Sequence, residues 1–245
     1  MGKSSLVDYA MDLSKHLNVY YLIGSGDSIE NNTPFYCWHT VLQQLFGFEK
    51  TDPNSNHNLL IFSQLEEEVT NNDPSMKEFL PLLKYFITKT LPIANSETHE
   101  NEDKKEKEKE RLENIFHVNT RKIFKYLLQK RALSQPIILI IEDIHWVDES
   151  SLLLLREVAE ETKNILLLMT SRVYSNKNKE GDYFKLKNLE HLTKLVLRPL
   201  EKDECATLCK NLLGCNSINP SIPEAIFSRV QGNPMVKKKK NQYQF

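Results

Sequence analysis

The sequence predicts an α/β fold: a mainly parallel sheet with helices on both faces and a short helical segment at the C-terminal end. Three observations carry that expectation. Ile137–Ile141 is a run of five apolar residues, four of them β-branched, placed directly after Pro136. A strand buried on both faces of a parallel sheet reads this way. Two more apolar runs of strand length, Val19–Ile23 and 164–169, lie on either side of it, with helical patterns between. Strands alternating with helices make βαβ units and hence a parallel sheet.

The elements follow in order. Leu6, Tyr9, Ala10, Leu13 and Leu17 fall at helical spacing and predict a helix over 3–16. The strand Val19–Ile23 ends at Gly24-Ser25-Gly26, and Thr33-Pro34-Phe35-Tyr36 opens an aromatic helix that runs to Phe46. Asn/Asp/Pro-rich turns near 51–57 and 71–75 separate two further helical patterns, the second marked by Phe79, Leu82, Leu83, Phe86 and Ile87. Residues 93–111 turn acidic and then alternate Lys with Glu, which reads as a solvated loop or helix start, an insertion between helices. An amphipathic helix is expected from about Leu112 to Leu133. After the strand at 137–141 come a helix over 149–162, a strand over 164–169, a polar loop over 174–188 and a last strand over 192–197. Two short helices, 201–213 and 221–230, lead to Gly232-Asn233-Pro234 and a lysine-rich tail. The expected organisation is a core over 1–200 that lacks its first strand, the start of a helical lid over 201–236, and a tail over 237–245.

Composition narrows the function classes. A net charge of −1 offers no global attraction for nucleic acid or an acidic membrane, so a nucleic-acid partner is not expected. No apolar run approaches the roughly 20 residues of a membrane span. Residues 1–17 are amphipathic rather than continuously apolar, unlike a secretory leader. The four cysteines show no disulfide framework for a chain of this length, and Cys205 and Cys209 on one helix face read as buried thiols. The expected location is the cytoplasm.

Chemistry concentrates at two places. Glu142 and Asp143 stand at the C-terminal end of the strand 137–141, and in an open α/β sheet ligands lie outside the carboxyl ends of the strands. An acidic pair there holds Mg²⁺ on a nucleotide phosphate and orients an attacking water. This is a Walker B pattern. At the start of the chain, Gly2-Lys3-Ser4-Ser5 carries the last three residues of the phosphate-binding signature G-x-x-x-x-G-K-[ST] at the head of a helix. A helix N-terminus presents unpaired N–H groups and partial positive charge to phosphate. Lys3 would reach the terminal phosphates and the Ser4 hydroxyl would join the Mg²⁺ shell. The first glycine and the strand that feeds such a loop are absent, so the expectation is a chain truncated at its N-terminus. Leu6 stands where N-myristoylation needs Ser or Thr. His145 and Trp146 read as packing residues at the strand end, and Asp148 as the cap of the following helix rather than a metal ligand.

With these residues in order, the chain resembles a STAND-type signal-transduction NTPase of the AAA-related branch grouped with origin-recognition-like ATPases. The likeness is closest to the ATPase-like region of soluble adenylyl cyclases. It rests on Gly2-Lys3-Ser4-Ser5-Leu6, Thr33-Pro34-Phe35-Tyr36 with Trp38, Ile141 to Asp148, Leu168-Met169-Thr170-Ser171-Arg172 and Gly232-Asn233-Pro234. The resemblance implies ATP and Mg²⁺ as cofactors, with Gly2, Lys3, Ser4 and Ser5 on the phosphates. It implies a first acid at Glu142 and a second, water-orienting acid at Asp143. Many relatives carry Asp at the first position, so which of the pair holds the metal stays open. It implies a γ-phosphate sensor at Arg172, where a planar, permanent charge suits the task, and a proline near the base at Pro234.

The function expected on this basis is an ATP-binding regulatory switch, with slow hydrolysis at most and an unknown protein partner. Any cyclase activity would belong to a longer parent protein. Two alternatives stand beside it: a nucleotide-free scaffold, favoured by loss of the glycine-rich half of the loop, and a DNA-associated origin-recognition-like ATPase, disfavoured by the near-zero charge.

Overall fold

The computed structural model describes residues 2–47, 56–88, 102–172 and 181–233. The chain divides into two compact units, one of residues 1–14 and 191–245 and the other Lys15–Glu190.

The larger unit is built on three parallel strands in the order β1-β2-β3, with β1 at Tyr20–Ser25, β2 at Ile137–Glu142 and β3 at Ile165–Met169. Their register is regular: Ile23 and Leu168 both lie opposite Ile140. The central strand is the one whose sequence is apolar throughout, and all five residues before Glu142 are buried. The doubly covered parallel strand expected for that run is what forms.

Helices α2 (Tyr36–Phe46), α3 (Asn56–Asn72), α4 (Leu80–Thr88), α5 (Glu102–Ser134), α6 (Glu149–Glu161) and α7 (Asp182–Lys187) complete this unit. α2 packs on β1 through Cys37, Trp38, Val41 and Leu42, all buried. Trp38 meets Phe124 of α5 edge-on at 5.6 Å and donates its indole N–H to the Ser151 carbonyl at 3.4 Å. Phe86 of α4 sits among Phe35, Phe116 and Phe124. α5 is tied to α6 by Arg121 and Lys125, which meet Glu157 at 3.1 and 2.9 Å, and by Lys125 with Glu161 at 2.9 Å.

The smaller unit holds α1 (Lys3–Ser14), α8 (Lys202–Leu213) and α9 (Ser221–Val230). Glu204 accepts the Glu201 N–H at 2.8 Å at the head of α8, and that bond, with Arg198, lowers the Glu204 pKa. Gly232 closes this unit: its φ is +78°, and a Cβ there would stand 2.2 Å from the Leu200 oxygen. Glycine alone fits, which explains why Gly232-Asn233 meets Pro199-Leu200 here.

Three expectations are corrected. Residues 192–197 form no strand, and Leu195 and Val196 are 74% and 72% exposed. An apolar run becomes a strand only where a neighbour takes its backbone hydrogen bonds, and no described residue does. α5 begins at Glu102, ten residues ahead of Leu112. The Lys/Glu alternation puts opposite charges three residues apart, as in Lys105/Glu108 and Glu106/Lys109, which supports a helix. Residues 182–187 form α7 instead of continuing the polar loop. Among the described residues no helix is long and apolar enough to cross a membrane. The four cysteines are free, and burial pushes the Cys37 thiol up to about 12, so it stays protonated and inert.

Candidate functional site

The carboxyl ends of the three strands lie side by side, and the chain places its special backbone geometry there. β1 ends in Ser25, which pairs with Glu142 across the ladder, and the next residue, Gly26, donates its N–H to the Glu142 carbonyl at 2.9 Å. A Cβ on Gly26 would stand 2.7 Å from the Asp143 carbonyl oxygen and 2.9 Å from Trp146 and Val147 atoms. The glycine at this position is therefore a condition for the acid-bearing turn to approach β1.

Glu142 is the last residue of β2 and is half-buried. Its carboxylate has no hydrogen bond or ion pair among the described residues, unlike Glu157, Glu161, Glu204 and Glu224. Asp143 follows in the left-handed region, with φ 48° and ψ 49°, which Asp tolerates better than most residues. That conformation turns the chain off the strand into a 3₁₀ turn, Ile144–Trp146, and leaves the Asp143 side chain 45% exposed. His145 packs beneath it, its Nδ1 3.8 Å from Asp143 Oδ1 and its ring 5.1 Å from that of Trp146. The buried position of His145 fits the packing role expected from the sequence.

Thr170 holds the turn from the neighbouring strand end. The Asp143 N–H donates to Thr170 Oγ1 at 3.0 Å, the Ile144 N–H to the Thr170 carbonyl at 2.9 Å, and the Thr170 N–H to the Ile141 carbonyl at 3.0 Å. Ser171 shares a 2.7 Å hydrogen bond with the Tyr183 hydroxyl, and Arg172 beside it is exposed. The fold thus brings Glu142 and Asp143 to the strand end adjacent to the one carrying Arg172.

Asp148 closes the turn as the N-cap of α6. Its carboxylate accepts the Ser151 N–H at 2.8 Å and the Ser151 hydroxyl at 2.6 Å, the capping role read from the sequence. It also accepts the Phe35 N–H at 3.1 Å. Phe35 is fully buried with φ 60°, a left-handed conformation unfavourable for a bulky side chain. Its ring meets His117 and Phe86 edge-on at 5.5 and 6.1 Å. The motif Thr33-Pro34-Phe35-Tyr36 is therefore fastened to the acid-bearing turn through Asp148.

The remaining expected residues fall elsewhere. Gly2, Lys3, Ser4 and Ser5 belong to the smaller unit, where Gly2 has φ +87° and its carbonyl accepts the Leu6 N–H at 3.0 Å at the head of α1. Lys3 is half-buried, Ser4 and Ser5 are exposed. Pro234 lies outside the described residues. Among the described residues no group of three or more His, Cys, Asp or Glu side chains could hold a metal ion. A cation at Glu142 and Asp143 would take its other ligands from phosphate and water, as Mg²⁺ commonly does. Thr170 and Gly26 were not singled out by the sequence reading. The signal for Thr170 was its place in Thr170-Ser171-Arg172 after an apolar run. The signal for Gly26 was a second glycine just past a strand.

Parallel strands with an acidic pair at their carboxyl ends and a Gly-Lys-Ser helix head define the α/β P-loop NTPase class. The family model of the AAA ATPase domain matches residues 1–169, and the chain belongs to that family. No curated protein and no solved structure matches it.

Proposed function

We propose that the chain is an ATP-binding regulatory domain of the STAND kind, a signal-transduction switch whose parent is a soluble adenylyl cyclase-like protein. The observation that carries this reading is the half-buried Glu142 carboxylate, without a partner among the described residues, at the carboxyl end of the central strand. In this reading Lys3 and Ser4 contact phosphate, and Glu142 and Asp143 hold Mg²⁺. Asp143 turns a water toward the γ-phosphate and Arg172 senses that group. Membership of the AAA ATPase domain family supports ATP as the nucleotide. In this reading turnover is slow.

The test is MgATP binding by calorimetry, with Lys3→Ala and Glu142→Gln as controls. The wild-type chain is expected to bind, Lys3→Ala to bind at least about tenfold more weakly, and Glu142→Gln to lose the magnesium dependence. Equal binding by wild type and Lys3→Ala, or no binding by either, defeats the reading and leaves the nucleotide-free scaffold.

A further inference from the structure

The hydrogen bonds between β2 and β3 keep the parallel pattern until the last one. The Ile137 N–H donates to the Asn164 carbonyl and the Thr170 N–H to the Ile141 carbonyl, both at 3.0 Å. In the register that pairs Ile141 with Met169, the next bond of the ladder would run from the Asp143 N–H to the Thr170 carbonyl. The Ile144 N–H takes that carbonyl instead, at 2.9 Å. Asp143 is thus one extra residue in the ladder, as in a β-bulge, and its left-handed φ of 48° is a conformation found at such positions.

The displaced Asp143 N–H needs an acceptor, and the Thr170 hydroxyl oxygen supplies it at 3.0 Å. Thr170 is buried, and a buried hydroxyl belongs where it makes a hydrogen bond. An isosteric valine would keep the branched side chain and both backbone bonds of this residue, and would strand only the Asp143 N–H. The consequence reaches the acid pair. Successive side chains of a regular strand point to opposite faces of the sheet, so Glu142 and Asp143 would diverge if β2 continued unbroken. The extra residue breaks that alternation, as bulges beside functional sites do. It leaves the Asp143 carboxylate 45% exposed at the strand end.

We propose that Thr170 is a positioning residue for the acid pair: its hydroxyl holds Asp143 in the left-handed turn from which both carboxylates serve one Mg²⁺ on ATP. This role rests on the reading of Glu142 and Asp143 as the magnesium acids. Thr170 acts through the Asp143 backbone and needs no contact with the ion or the phosphates. Its β-branched side chain restricts χ1, which keeps the oxygen on the Asp143 side. Removing a group that orients a metal ligand from behind typically costs about 10–100-fold in metal affinity.

The experiment is calorimetric ATP binding by the full chain, titrated with Mg²⁺ and repeated in EDTA, together with amide exchange at Asp143, Ile144 and Thr170. Thr170→Val is expected to raise the Mg²⁺ concentration of half-maximal effect at least about tenfold and to leave the binding of metal-free ATP within about twofold. Its exchange is expected to quicken at Asp143 while Ile144 and Thr170 keep their protection. Thr170→Ser, which retains the oxygen, is expected to restore both readouts. Thr170→Ala lacks the hydroxyl as well and is expected to follow Thr170→Val, so the outcome does not hang on the folding of one variant. Wild-type magnesium dependence in the Val and Ala variants overturns the proposal and leaves the magnesium acids standing. So does a loss of protection at all three amides together, which would make Thr170 a packing residue of the strand end. A wild type that binds no MgATP defeats the magnesium reading itself, and the positioning role with it.

Discussion

Removing the Asp148 carboxylate tests the geometry around the acid-bearing turn most directly. The residue is buried and accepts three hydrogen bonds, from the Phe35 N–H, the Ser151 N–H and the Ser151 hydroxyl. In Asp148→Ala the lost N-cap costs about 1 kcal/mol. The stranded Phe35 N–H adds about 1–3 kcal/mol, because Phe35 is fully buried and has no water to replace the acceptor. Together the loss is about 3 kcal/mol. For a unit the size of Lys15–Glu190 this lowers the melting midpoint by about 6–12 °C. Asp148→Asn keeps one carbonyl oxygen for the two N–H donors and is expected to lose about a third as much. Denaturant unfolding followed by tryptophan fluorescence measures both, since Trp38 lies in α2 just after the clamped turn. An Asp148→Ala loss below about 1 kcal/mol, or an Asn variant as damaged as the Ala variant, would refute the clamp, because either result means that the Phe35 N–H does not depend on this carboxylate.

Two more outcomes follow from the same region. Gly26→Ala puts a methyl 2.7 Å from the Asp143 carbonyl and is expected to destabilise the larger unit by about 1–3 kcal/mol, read as a lower unfolding midpoint; a neutral result would mean that the turn carrying Glu142 and Asp143 can retreat. His117 has its pKa lowered, first by burial and then by Arg121, with Glu113 and Asp148 opposing. The unfolded chain therefore binds this proton more readily than the folded one. The associated stability is present above the ordinary value of 6.5 and is lost as pH falls below it toward the folded value. Melting midpoints from pH 7.5 to 5 are expected to fall, and the His117→Gln variant to flatten that slope; parallel slopes would contradict the assignment.

Much of the fold was legible because it is written locally. β2 was readable from Ile137–Ile141, since a run without polar residues has no solvent face to offer. The acids at its end were readable from position alone, as was the cap at Asp148, because Asp followed by Glu-Ser-Ser before an apolar run is a helix start. The misreadings have separate causes. Leu192–Leu197 carries the pattern of a strand, but a strand exists only with a partner, and partners are not encoded in the run itself. The helix expected from about Leu112 begins at Glu102, because the charges of Glu102–Arg111 hide a helical period that carries no apolar stripe.

The sequence by itself determined the α/β class, the acidic pair at the end of a central strand and the Gly-Lys-Ser helix head, all properties of residues close together in the chain. Tertiary structure alone decided that Phe35 adopts a left-handed conformation, that Gly26 must lack a side chain, and that Gln44 caps the outward edge of β1 at Ile23. The physical reason is sequence separation. Asp148 reaches Phe35 across 113 residues and Gln44 reaches Ile23 across 21. Such hydrogen bonds between groups far apart in the chain leave no periodic trace, because they are fixed by where the packed elements come to rest.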